Sequence, residues 1–425
     1  MTNQPTAPAT SAKHPAGLYV LFFTELWERY SFYALVALLV LYMDEYLLFP
    51  KAKSAQVWGA FMGAVYFLPL VGGFLADRWL GFYRAVIIGA VLMGIGQFVL
   101  ATGSGSTFFL ALGVIACGTG MLKPNVSNIV GALYTDRPQL RDAAFNIFYM
   151  GINTGAFVAP LVVAWLRRDY GWNAAFMSSA VAMILAIVVF TFGKRYLPAN
   201  ARKTDPATES VNGPTTDEFM RVVALLVVFA IVIAFWVAFY QNGLTLTFWA
   251  KYNTDTSIPP ETFQSVNPLG IILFSPPLVM LWNALRRRNS EPSTVSKMIL
   301  GMLLTAATFG IMAVAGMVGG DTGRVSAGWL VSAYLVIALG EICLSPMGLS
   351  LVTKVAPARH RGTMMGAWFV ATAAGGYLSG TVGQYWETMN HSRFFMLVAG
   401  LCLVAAALTA LAKARLNKVF ARSGA

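Results

Sequence analysis

Stretches of apolar residues long enough to cross a bilayer recur along this chain with only short breaks, and that recurrence limits what it can fold into. A spanning helix needs about 20 such residues. Runs of that order lie near 18–43, 56–76, 83–102, 107–130, 141–165 and 172–193, then again near 219–248, 262–285, 295–318, 326–353, 363–386 and 392–412. The expected fold is an all-α membrane protein with 12 transmembrane helices in two six-helix bundles. A charged fraction of 11% and a mean hydropathy of +0.64 agree, since soluble domains carry about 25% charged residues.

The polar stretches divide the chain. Residues 1–17 read as a disordered cytoplasmic N-terminus and 18–193 as the first bundle. Residues 194–218 form a linker rich in charge, Pro, Asn and Thr, 219–412 the second bundle and 413–425 a cytoplasmic tail. The run after residue 17 is no cleavable signal, because its core contains Glu25-Leu26-Trp27-Glu28-Arg29. With both termini on the cytoplasmic side, 21 Lys and Arg fall on that side and 7 on the other; Arg29 and Lys123, inside spans, complete the 30. That asymmetry fits the positive-inside rule. It also turns the net charge of +12, and the Arg286-Arg287-Arg288 cluster, into a topology signal rather than a nucleic-acid surface. Cys117, Cys343 and Cys402 lie in apolar runs without metal-ligand spacing and read as small buried hydrophobes.

Five ionisable residues remain inside the spans: Glu25, Glu28 and Arg29 on the first, Lys123 on the fourth and Glu341 on the tenth. A charge at the centre of a lone spanning helix costs about 2.5–3.5 kcal/mol on insertion scales. Helical spacing puts Glu25, Glu28, Arg29 and Phe32 on one face, which must look into protein or an aqueous path. An internal ion pair and the wall of a solute or proton pathway both satisfy that demand. His14, His360 and His391 lie in a terminus or loops, so a proton relay within the membrane would use carboxylates. In a transporter of two related halves, spans 1, 4, 7 and 10 surround the central cavity; three of them carry these charges. Pro124 follows Lys123, and Pro346 lies five residues past Glu341. Interrupted helices at matching positions point to a midplane binding site, although local packing would also accommodate them.

The residues also resemble a known family. Glu25-Leu26-Trp27-Glu28-Arg29-Tyr30-Ser31-Phe32-Tyr33 is similar to the first-span signature Glu-x-x-Glu-Arg-Phe-x-Tyr-Tyr of the proton-coupled oligopeptide transporters, a branch of the major facilitator superfamily. The run from Gly72 through Asp77-Arg78 to Gly81 resembles the superfamily's cytoplasmic loop motif. Gly120 through Lys123-Pro124-Asn125 to Asn128, Phe148 through Asn153 to Gly155, Gln264 through Asn267-Pro268, Glu341 through Pro346, and Met364 through Trp368 continue the likeness in order.

The resemblance implies the superfamily fold and import of di- and tripeptides with protons as coupling ion, in the inner membrane, without another cofactor or an enzymatic activity. It also implies roles by position. Lys123 would meet the peptide carboxylate, and Glu341 with Asn153 and Asn267 the amino terminus. Tyr33, Tyr66, Trp236 and Trp368 would line side-chain pockets. Glu25, Glu28 and Arg29 would form a proton-linked network exchanging ion pairs with Lys123, and Asp77 and Arg78 a cytoplasmic gate. The expected partners are peptides, protons and the bilayer, with no nucleic acid and no need for more than a monomer. Independently, a zwitterion needs one fixed charge of each sign, and a glutamate's proton affinity depends on which cations stand beside it. Val36 departs from the family by replacing a usual cation, Tyr240 by replacing a usual acid and Phe32 by replacing the first motif tyrosine. A carrier of nitrate or another small anionic or zwitterionic solute, and a weakly coupled transporter or sensor, are the competing readings.

Overall fold

The computed structural model describes residues 14–103, 105–198, 216–357 and 360–421. Its helices are α1 (Ala16–Glu45), α2 (Lys51–Leu75), α3 (Phe82–Thr102), α4 (Phe108–Leu133), α5 (residues 141–170), α6 (residues 172–192), α7 (Thr216–Phe239), α8 (Val266–Arg287), α9 (Thr294–Gly319), α10 (Ala327–Val355), α11 (Arg361–Gly383) and α12 (His391–Ala421). α7 continues through a 3-10 turn, Tyr240–Gly243, into a short helix, Thr245–Tyr252. One glycine separates α5 from α6: Gly171, at φ 84°, breaks an otherwise unbroken helical run. That left-handed backbone suits a residue without Cβ.

Ten helices among the described residues are long and apolar enough to cross a membrane, and one of these, Ala143–Tyr196, contains both α5 and α6. α11, rich in glycine and threonine, is not among the ten and completes the twelve. Its glycines have a packing reason. A Cβ on Gly380 would stand 2.3 Å from the Ala55 carbonyl oxygen of α2, and one on Gly375 2.3 Å from Trp236 Cβ of α7. Small residues let membrane helices approach to backbone contact.

Two boundaries move. α12 runs to Ala421, so most of the expected tail after residue 412 is helical. Helix resumes at Thr216, just before the expected end of the linker, whose residues 199–215 lie outside the described set, as does the N-terminus before residue 14. Cys343 and Cys402 are buried as expected, but Cys117 is exposed on the outward face of α4.

Candidate functional site

The charged stretch of α1 is placed by α5. A Cβ on Gly155 would lie 2.5 Å from the Leu26 carbonyl oxygen and 3.1 Å from Arg29 Cβ, so that glycine allows α1 to press its Leu26–Arg29 backbone against α5. On the face so positioned, Arg29 donates from Nε and Nη2 to both carboxylate oxygens of Glu28, the second bond at 2.5 Å, and stands 3.4 Å from Glu25 Oε1. Its guanidinium lies 5.0 Å over the Phe32 ring. All three charges are buried, and Glu25 Oε2 has no hydrogen-bond partner. The bidentate fork is the strong form of a charge-assisted bond, and it leaves one carboxylate only partly compensated.

Lys123 is set by the contact of α2 with α4. Pro124 lacks the N–H that would bond the Gly120 carbonyl, and a Cβ on Gly72 would fall 2.2 Å from that same oxygen. The helices therefore touch through Gly72 and Gly120, one turn before Lys123, and the lysine Nζ comes to rest 4.4 Å over the Tyr66 ring. No carboxylate pairs with it among the described residues, and the Glu25 carboxylate lies within electrostatic range. In this arrangement Arg29 occupies both Glu28 oxygens, and among the described residues Lys123 makes no ion pair with the Glu25, Glu28 and Arg29 network with which it is expected to exchange ion pairs.

Across the interface, Tyr66 meets Tyr240 of α7 with centroids 5.5 Å apart, and Tyr240 stacks on Trp236 at 5.6 Å. Glu341, half-buried on α10, accepts a 3.4 Å bond from Asn267 Nδ2 of α8 and lies within electrostatic range of Tyr33 on α1 and Tyr149 on α5. The charged groups of the two bundles thus face a common interior rather than lipid. Asn153 Nδ2 donates to the Tyr149 carbonyl at 2.9 Å, and its side chain also reaches the Tyr149 hydroxyl that lies in range of Glu341. Trp368 is buried against Phe229 and over Gly348 of the second bundle. Asp77 and Arg78 sit exposed on the π-helical turn that ends α2, far along the chain from the buried charges. Val36 is buried and Tyr240 places a buried hydroxyl without a hydrogen-bond partner in the interface.

Sequence reasoning missed the charges that join the bundles at the end opposite the termini. Arg167 of α5 grips the fully buried Glu261, just before α8, at 2.6 and 3.0 Å and reaches Glu45 of α1 at 2.9 Å. Lys251, closing α7, bonds Asp44 at 2.6 Å and Glu45 at 3.1 Å. Ser265 Oγ adds a 2.8 Å bond to the Phe157 carbonyl. The visible signal was an acid or base at the matching end of each of these segments; their pairing depends on the fold.

Comparison with known proteins follows this geometry. The profile of the POT family matches residues 83–216 and 211–397. A di-/tripeptide transporter of Lactococcus lactis subsp. cremoris is 32% identical over 472 residues, covering 93% of this chain and 95% of the relative. The peptide transporter YePEPT of Yersinia enterocolitica is 34% identical over 450 residues, covering 88% of each chain. Among solved structures, a point mutant of peptide transporter POT in complex with alafosfalin superposes with a TM-score of 0.88 at 32% identity over 96% of both chains. A POT family transporter in complex with 5-aminolevulinic acid gives 0.87 at 26% identity over 96% of this chain and 98% of that one.

Proposed function

This chain belongs to the POT family, and on that premise we propose that it carries di- and tripeptides into the cell together with protons, by alternating access. The observation that carries the reading is the placement of Lys123 on the first bundle and Glu341 on the second, facing one interior. A peptide zwitterion offers a carboxylate to the one and an ammonium to the other, so binding draws the bundles together. A ligand that contacts both halves differently in two states shifts their balance, which is the physical content of rocking-type transport. Relatives named di-/tripeptide transporters support the peptide reading.

Orientation follows from charge. The Lys and Arg asymmetry favours cytoplasmic termini in an inner membrane, so the ion pairs around Arg167 close the outer end and the interior faces the cytoplasm. Glu25, Glu28 and Arg29 are the proton-linked group: three buried charges with an odd carboxylate left over can change protonation when Lys123 moves toward or away from them. Protons are the only coupling species proposed, and a monomer suffices. Asn267 fixes Glu341, while Tyr33, Tyr66 and Trp236 form the aromatic wall that tolerates varied side chains. Any molecule with an amine and a carboxylate at peptide-like separation meets the same pair, and the 5-aminolevulinic acid bound to a related transporter is of that kind.

The experiment is uptake of di-alanine into proteoliposomes with and without an inward pH gradient. Accumulation above the external concentration only when the gradient is present supports the proposal. Gradient-independent equilibration removes the coupling, and absence of uptake removes the substrate.

A further inference from the structure

A second cavity, of about 430 Å³, opens at the end opposite the termini, between the start of α2 and the turns that close the second bundle. The first bundle supplies Lys51, whose Nζ stands 4.5 Å over the Tyr252 ring and 3.6 Å from Glu387 Oε1, so the ammonium reaches across the seam. The second bundle supplies the rest. Asp321 accepts bonds of 2.7 Å from the His391 backbone N–H and from Asn390 Nδ2, and the His391 bond holds its carboxyl below the usual carboxylate range. The His391 ring lies flat on Trp386, 4.0 Å away at 12°, forming an aromatic floor.

Two polar atoms here lack a hydrogen-bond partner. Asn253 is fully buried; its Nδ2 donates to the Asp321 and Gly323 carbonyls at 2.9 and 3.3 Å, while its Oδ1 receives nothing. His391 Nδ1 is likewise buried and makes no hydrogen bond, with Asp321 Oδ1 3.9 Å away. A buried acceptor without a donor costs free energy, and Asn253 stands in the wall of a cavity in the size range of small-ligand sites. The parallel strand pair β1 (Thr254–Asp255) and β2 (Val325–Ser326) holds Asn253 and Asp321 in this register.

We propose that this cavity is an outer binding site for a small zwitterion, with Lys51 taking the ligand's carboxylate and Asp321, whose backbone carbonyl Asn253 Nδ2 holds, taking its ammonium. Because Lys51 belongs to one bundle and the remaining groups to the other, the site is complete only while this end is shut. An occupant therefore favours the closed arrangement and slows reopening. At high external concentration the substrate restrains its own entry. The proposal rests on the transport reading only for its probe and for which side is outside.

The test uses Thr322→Cys on the cavity rim, labelled in proteoliposomes by a membrane-impermeant maleimide, with the labelling of the native cysteines subtracted. Di-alanine is expected to slow labelling several-fold. The protection should persist with Lys123→Ala, which disables the central site, and with Lys51→Arg, and should be lost with Lys51→Met or Asp321→Asn. No protection at any concentration overturns the proposal. So does protection that disappears with Lys123→Ala but survives Lys51→Met, since it would then come from the central site. Failure of the peptide-transport reading is read separately, as absence of di-alanine accumulation with the protection intact.

Discussion

Lys123 Nζ rests 4.4 Å from the centre of the Tyr66 ring, and the far neighbour of that ring is Tyr240 of the opposite bundle. Among the described residues the cation is held without an opposing carboxylate, on a ring face that competes with a charged partner at a disadvantage, since a cation–π contact contributes about 0.5–2 kcal/mol and a charged hydrogen bond about 1.5–3 kcal/mol. A ligand carboxylate wins that competition. Lys123→Ala should therefore weaken di-alanine binding by about 10-fold or more, whereas Tyr66→Phe, which keeps the ring face, should change it by less than about 3-fold. Equilibrium binding to the purified protein measures both.

The proton-linked group on α1 makes a separate prediction. Glu28→Gln removes the carboxylate that both Arg29 nitrogens grip. Counterflow of labelled di-alanine between equal pH compartments should persist, while accumulation driven by a pH gradient should fall to equilibration. Survival of gradient-driven accumulation would show that Glu28 does not carry the coupling.

The closed end depends on buried charge. Glu261 is fully buried and its carboxylate is paired by Arg167 across the bundles. Removing one partner of a buried pair costs about 3–5 kcal/mol. Arg167→Ala should disfavour the closed end by an energy of that order, seen as faster external labelling of Thr322→Cys and slower transport. Arg167→Ala with Glu261→Gln should recover much of the loss, because no bare charge is then buried.

Much of this was legible in the chain, for physical reasons that can be named. Twelve spans follow from hydrocarbon thickness, and Lys123 and Glu341 stand out because charge is rare in such segments. The likeness to the peptide transporters located Asn267, which does bond Glu341. What escaped was tertiary. The Arg167–Glu261 and Lys251–Asp44 pairs join residues far apart in sequence at segment ends, where charges are ordinary. Gly171 is a single residue between two spans, and only its φ of 84° reveals the break. The packing of Trp368 on Gly348 is likewise a contact that no motif position announces.

The charge cluster between α8 and α9 gives a pH prediction. Glu291, between Arg286 at 2.6 Å and Lys297 at 2.5 Å, has its carboxyl pulled from 4.5 down to about 2 by the hydrogen bond from Arg286, then by that from Lys297. A depressed folded value means that the stabilisation is present above pH 4.5 and fades as pH falls toward 2. Glu291→Gln should therefore lower Tm at neutral pH, and the gap from the native chain should narrow as the pH drops through that window in thermal unfolding scans.

The central claim is that opposite charges on the two bundles hold opposite ends of one ligand, and blocked peptides test it most directly. Competition for the central site by N-acetyl di-alanine and by di-alanine amide should be weak in the native protein. With Glu341→Gln the penalty for N-acetylation should vanish while that for amidation stays; with Lys123→Ala the reverse should hold. Equal penalties for both blocked peptides in both variants would contradict the account.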